Sequence, residues 1–166
     1  MGFLDFLAAT PPRPNPRPAE RPKLRPPTSY QGGKVRLADA ILDRIRPDPG
    51  APFHDLCCGS GAVAVAAWNR GHPARLLHLV DAGPWGDFWH AIGRGSFDLA
   101  SLARRVRAVP KDPRRVHEHV LELAAEAPGA DRLAVFLLLQ SAAFGGTAVW
   151  DAQGRWRYRS FRGYWE

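Results

Sequence analysis

The sequence predicts an α/β fold, and three observations carry that prediction. A short apolar segment, 53–57, runs into the glycine turn Gly59-Ser60-Gly61, and an Ala- and Val-rich stretch, 62–70, reads as the helix that follows. A second apolar segment, 76–80, ends in Asp81. Strand, tight turn, helix and strand within about 30 residues make one βαβ unit. Hydrophobic residues are 45 % of the 166 and charged residues 23 %, which is enough apolar material for one real core.

The elements can be taken in order. Residues 10–27 hold eight of the sixteen prolines. A proline lacks the N–H that helices and central strands require, so residues 1–28 are expected to be an extended, flexible arm. Arg13, Arg17, Arg21 and Arg25 recur every four residues along it. Phe3, Leu4, Phe6 and Leu7, ahead of the prolines, would make a small docking plug. Folded structure is expected from Ser29. Residues 35–46 read as an amphipathic helix with Leu37, Ile41, Leu42 and Ile45 on one face, ended by Pro47, Pro49 and Gly50. The βαβ unit follows, with Gly71-His72 stopping its helix and 76–80 as a second buried strand. Further helices are predicted over 85–92, 97–106, 113–127 and 131–143, the last deeply buried and N-capped by Asp131. Residues 149–156 read as a hairpin with its polar turn at 151–154. Beyond it Arg155, Arg157 and Arg159 alternate with Trp156 and Tyr158, which in a strand puts arginines and aromatics on opposite faces.

The net charge of +7 sits at the ends. Residues 1–29 have five Lys/Arg against two acids, and 152–166 have four Arg against Glu166, while 30–151 are nearly balanced. Basic ends attract phosphates or serve as solvated tails. No apolar run approaches the roughly 18 to 20 residues of a membrane helix, and the N-terminus lacks the basic start of a signal peptide. A soluble, cytoplasmic protein is expected. The two cysteines, Cys57 and Cys58, are adjacent, which suits small residues at a strand end better than a disulfide or a zinc site. The six histidines are scattered and read as core or surface residues; His117 and His119, two apart on a helix, point to different faces.

The glycine turn has a chemistry of its own. Glycines let the chain turn tightly and let a ligand approach the peptide groups, and free N–H groups at the helix start favour polar ligand atoms. Asp81, twenty residues after Gly61 and at the end of the next strand, is placed to accept hydrogen bonds from ribose hydroxyls. The geometry suits a nucleoside-containing cofactor. Position 64 is Ala, so the dinucleotide pattern Gly-x-Gly-x-x-Gly is only partly met, and a nicotinamide or flavin cofactor stays open at this point.

Upstream stands Tyr30-Gln31-Gly32-Gly33-Lys34, too short for a phosphate loop. Tyr-x-Gly-Gly-Lys, a helix and then Asp55-Leu56-Cys57-Cys58-Gly59-Ser60-Gly61 together resemble the N-terminal part of the Dam-type (D12 class) DNA adenine-N6 methyltransferases. Leu79-Val80-Asp81 is similar to that family's acidic strand end, although Gly83 stands where members often have Asn. Phe144-Gly145-Gly146, Gly154-x-Trp156 and Gly163-Tyr164 resemble, more loosely, the start of its target-recognition region, where Asn-Gly is usual in place of Gly145-Gly146. The resemblance spans roughly residues 28–165.

It implies a truncated Rossmann-like S-adenosylmethionine-dependent methyltransferase fold with extra helices and a C-terminal hairpin. Residues 29–144 would be the cofactor-binding domain with an incomplete sheet, and 145–166 the start of target recognition. Tyr30, Gly32, Gly33 and Lys34 would border the methionine end of S-adenosylmethionine, Lys34 pairing with its carboxylate. Asp55, Cys57, Gly59, Ser60 and Gly61 would line its floor, and Asp81 would hold the ribose. Arg155, Arg157, Arg159 and Arg162 would contact DNA phosphates or base edges.

The family's catalytic Asp/Asn-Pro-Pro-Tyr/Phe, which serves a flipped adenine, is absent from the sequence. Asp48-Pro49 and Asp112-Pro113 lack the second proline and the aromatic. Three readings follow: one subunit of a split methyltransferase, completed by a second polypeptide or another copy; an inactive relative kept as a binding or structural module; or a small enzyme with an unrecognised nucleophile. The first is adopted as the expectation. It further implies an exposed parallel sheet edge and apolar surface that require a partner.

Overall fold

The structure, a computed structural model, describes residues 22–29, 31–126 and 129–149. Among these residues the chain is mixed α/β, with six α-helices and one two-stranded parallel sheet. It divides into two compact units, Met1–Pro27 with Gly33–Ala82 and Thr28–Gly32 with Gly83–Glu166. The predicted hairpin from residue 150 onward, most of the proline-rich arm and the N-terminal plug lie outside the described residues.

The first unit is built on β1 (Phe53–Asp55) and β2 (Leu77–Leu79), with α1 (Ala38–Ile45) and α2 (Ala62–Asn69). The strands pair in parallel with Phe53 opposite Leu77, His54 opposite His78 and Asp55 opposite Leu79. Both are shorter than predicted, but ladder-like bonds continue past them. Val80 N–H donates to the Asp55 carbonyl at 2.9 Å, and Cys58 N–H to the Val80 carbonyl at 3.0 Å. Alternation along the strands puts Phe53 and Leu77 on one face. There they join Ala38, Leu42, Val63 and Ala67 in one core cluster. Alanines along α2 keep that helix close to its neighbours; Ala62, Ala64 and Ala67 are all buried.

Two expectations fail here. Leu37 and Ile45 are 60 % and 53 % exposed, because the helix begins at Ala38 and its inward stripe is the buried Ala38 and Leu42 with the half-buried Ile41. Leu37 is only the cap residue, and Ile45 lies at the last turn, where Arg46 turns left-handed (φ 47°) and Pro47 prevents continuation. The second strand is also half-exposed rather than buried, since helices cover one sheet face while His54 and His78 on the other are exposed. On the surface Arg70 bridges Asp39 and Asp43 at 2.7 and 2.6 Å, easing the repulsion of two acids one turn apart. Leu24 exchanges two backbone hydrogen bonds with the Asn69 side chain, at 2.8 and 2.9 Å.

The second unit is helical: α3 (Pro84–Gly93), α4 (Leu99–Ala108), α5 (Pro113–Ala125) and α6 (Arg132–Ala142). Pro84 opens α3 at a position where its missing N–H costs nothing. Asp98 caps α4 by accepting the Ser101 N–H at 2.8 Å. The apolar run 134–139 makes α6 buried all round, and α3, α4 and α5 each pack on it. Trp85, wholly buried, meets Phe136 edge-on at 5.0 Å and Phe88 at 5.8 Å. Val116, Val120 and Leu123 form the stripe that α5 contributes to the other side.

Asp131 occupies the cap position of α6, as predicted, but its side chain does not cap. Its carboxylate accepts instead from Arg105 Nε at 2.8 Å and from Ser101 Oγ at 3.4 Å. A charge-assisted bond outcompetes a bond to a neutral N–H. Among the described residues no helix is long and apolar enough to cross a membrane.

Candidate functional site

The first unit gathers its polar groups where β1 turns into α2. Gly59 (φ 49°) and Gly61 (φ 75°) are both left-handed, a conformation a side chain disfavours, so the turn favours glycine at both positions. Gly61 N–H closes the turn on the Cys58 carbonyl at 2.8 Å. The parallel register brings the end of β2 alongside, and Asp81 Oδ2 accepts the Gly59 N–H at 2.9 Å. Across the turn Lys34 Nζ donates to the Cys57 carbonyl at 3.0 Å.

Asp55 holds the other side. Its carboxyl accepts the backbone N–H groups of Ala64 and Cys57. Ala64 lies in the first turn of α2, one of four positions whose N–H groups lack a helical partner. Gly61 offers no side-chain cap, so Asp55 supplies one from the strand end. Burial pushes the Asp55 carboxyl above its ordinary value; Lys34 and the two N–H groups oppose that shift, and Asp81 adds to it. Asp55 Oδ2 and the Ser60 hydroxyl, both buried, have no hydrogen-bond partner among the described residues. Buried polar atoms are normally paired, so this turn has acceptor and donor capacity left over.

Of the predicted cofactor residues, Lys34, Asp55, Cys57, Gly59, Ser60, Gly61 and Asp81 therefore form one cluster. Gly33 is exposed in the same unit. Gly32, left-handed at φ 85° with open space where a Cβ would stand, belongs to the second unit. Tyr30 and Arg155, Arg157, Arg159 and Arg162 lie outside the described residues. Burial and the nearby Asp81 and Asp55 push the Cys58 thiol up to about 12, which keeps it neutral and unreactive.

Three contacts escaped sequence reasoning. The Asp55 link to Ala64 was marked only by an acid at a strand end facing a helix that starts on glycine. The stacking of His54 on His78 follows from their equal place in two paired strands. In the second unit Gln140, a polar residue directly after the apolar run of α6, is fully buried. Its Nε2 donates to the carbonyls of Gly146 and Thr147 at 3.1 and 3.2 Å, and Gln31 N–H also donates to Gly146, at 2.7 Å. This ties the upstream Gln31-Gly32 segment to the Gly145-Gly146 segment.

A concavity of about 420 Å³ lies away from the turn, between the C-terminal ends of α1 and α2. It is lined by Leu42, Asp43, Arg46, Ala67, Arg70 and His72 among others. Arg70 there is already committed to Asp39 and Asp43, and His72 Nε2 sits 3.1 Å from the Ala51 carbonyl, so the lining is largely self-satisfied. Of the two places, the glycine turn is the one with buried polar atoms left unpaired, Asp55 Oδ2 and Ser60 Oγ. Comparison with protein-family models, curated proteins and solved structures finds no match to this chain.

Proposed function

We propose that this chain is the S-adenosylmethionine-binding half of a DNA adenine-N6 methyltransferase, completed by a second polypeptide that supplies the Asp-Pro-Pro-Tyr motif. The observation that carries the reading is the charge at the glycine turn. Two carboxylates, Asp55 and Asp81, face one ammonium, Lys34, across it. A pyrophosphate needs the opposite balance, with helix N–H groups free for anionic oxygens. Here Asp55 already takes one of them. S-Adenosylmethionine has no phosphate; its sulfonium and ammonium outnumber its one carboxylate. The charge therefore favours it over the nicotinamide and flavin cofactors.

In this reading Asp81 accepts from the ribose hydroxyls, Lys34 pairs with the methionine carboxylate, and the Gly59–Gly61 turn forms the floor. The parallel β1–β2 pair with its connecting helix is the start of a Rossmann-like sheet. Leu56 and Val80, 66 % and 49 % exposed beside these strands, support a sheet that another polypeptide completes. Arg155, Arg157, Arg159 and Arg162 are assigned to DNA phosphates and base edges, and the cytoplasm is the expected compartment.

Calorimetric titration of the full chain with S-adenosylmethionine tests the site. Saturable binding is expected, with at least tenfold weakening in Asp81→Ala and none for NAD at equal concentration. A folded chain that gives no saturable heat, or an Asp81→Ala variant that binds as well as the parent, overturns the site as drawn.

A further inference from the structure

The face of the sheet turned away from α1 and α2 carries a second cluster that is independent of the cofactor reading. The parallel register sets His54 directly opposite His78. Their rings stack with centroids 4.6 Å apart and planes 13° from parallel. Both residues are exposed, and neither ring makes a hydrogen bond among the described residues. Paired strands run about 4.7 to 4.9 Å apart, so the backbone itself holds the two imidazoles side by side. Most surface histidines have no such partner.

We infer that His54 and His78 form a two-imidazole site for a divalent transition-metal ion of borderline softness. Neutral imidazole is a good ligand for such ions, with bonds of about 2.0 to 2.1 Å. Two nitrogens on one ion stand about 3 Å apart with their lone pairs converging on it, so both rings must turn out of the parallel stack about their Cα–Cβ and Cβ–Cγ bonds, which their exposure permits. Fixing both ligands on paired strands removes the backbone part of the ordering cost of chelation. Among the described residues no group of three or more His, Cys, Asp or Glu is placed to hold a metal. The ion would therefore keep several water ligands, and its affinity would be modest. Nitrogen ligands without a carboxylate select Cu²⁺ ahead of Ni²⁺ and Zn²⁺, and leave Mg²⁺ and Ca²⁺ unbound.

The test uses untagged full chain carrying Cys57→Ser, because the exposed Cys57 thiol is a competing ligand. Titration with copper(II) chloride at neutral pH, read by calorimetry and by the nitrogen hyperfine pattern in electron paramagnetic resonance, is expected to give one site with two imidazole nitrogens. His54→Ala and His78→Ala should each weaken it tenfold or more, while His90→Ala, an exposed histidine of the other unit, leaves it unchanged. Circular dichroism without metal controls for folding; both histidines are exposed, so the substitutions are expected to fold. Copper binding that survives His54→Ala and His78→Ala, or that falls equally with His90→Ala, overturns the site. S-Adenosylmethionine binding plays no part in the readout, so each proposal can fail alone.

Discussion

The two units differ in the size of the side chains they bury. The second encloses Trp85, Phe88, Phe136, Leu138 and Leu139 almost completely. In the first, the large apolar side chains Val35, Leu37, Ile45, Leu56 and Val80 are between 49 % and 66 % exposed, and its core is largely alanine and valine around Leu42 and Phe53. Apolar burial scales with area, so the helical unit carries the greater share of the stabilisation. The first unit keeps two unmatched polar atoms, Asp55 Oδ2 and Ser60 Oγ, buried at its glycine turn and leaves these apolar side chains uncovered.

The sharpest way to break this comparison is at Trp85. Its ring is wholly buried between Phe88 and Phe136, and truncation leaves a cavity in packed surroundings. Trp85→Ala should cost about 3 to 5 kcal/mol in urea-unfolding free energy. A loss below about 1 kcal/mol would mean that the aromatic cluster is not the source of the second unit's stability.

A paired substitution sharpens the first unit in the same way. Leu42 is 1 % exposed, and Leu42→Ala should cost about 2 to 5 kcal/mol. Leu37→Ser, five residues earlier and 60 % exposed, should stay within about 0.5 kcal/mol of the parent. Periodicity alone ranks these two leucines equally, so similar losses by denaturant unfolding would restore the wider apolar face read from the pattern.

That pair also shows what was legible in the sequence. The βαβ order, the glycine turn and the acid after β2 could be read because each depends on local chemistry: φ above zero at Gly59 and Gly61, and a strand end at Asp81. The six described α-helices were located, with ends shifted by a few residues, while the short 3-10 turns Ala74–Leu76 and Phe144–Gly146 were not. What could not be read depends on neighbours distant in sequence. Asp131 was assigned a cap, yet Arg105, twenty-six residues away, takes its carboxylate. Residues 76–80 look like a buried strand, yet burial needs a second covering layer that the pattern of five apolar residues does not report. The His54–His78 stack required the register, and a shift of one residue would have put the two rings on opposite faces.

The smallest expected effect separates the units by pH. Burial raises the Asp55 carboxyl above its ordinary 3.8. Below 3.8 the group is protonated in both folded and unfolded chains; as pH rises through the raised folded value, the folded chain must ionise a desolvated acid, and stability is lost. Asp131 runs the other way. Its hydrogen bond to Arg105 holds the carboxyl below 3.8, so its contribution is present above 3.8 and is lost as pH falls through the lowered value. Unfolding free energy measured across acid and mildly acid pH should therefore lose its decline above 3.8 in Asp55→Asn. Asp131→Asn should instead lose part of the acid limb below 3.8. Asn keeps an acceptor for the Ala64 N–H, so the first change removes the charge and spares the cap. An Asp55→Asn profile parallel to the parent's above 3.8 would mean that Lys34 and the two N–H groups fully offset the burial of Asp55, and that the turn carries no electrostatic deficit for a cationic ligand to relieve.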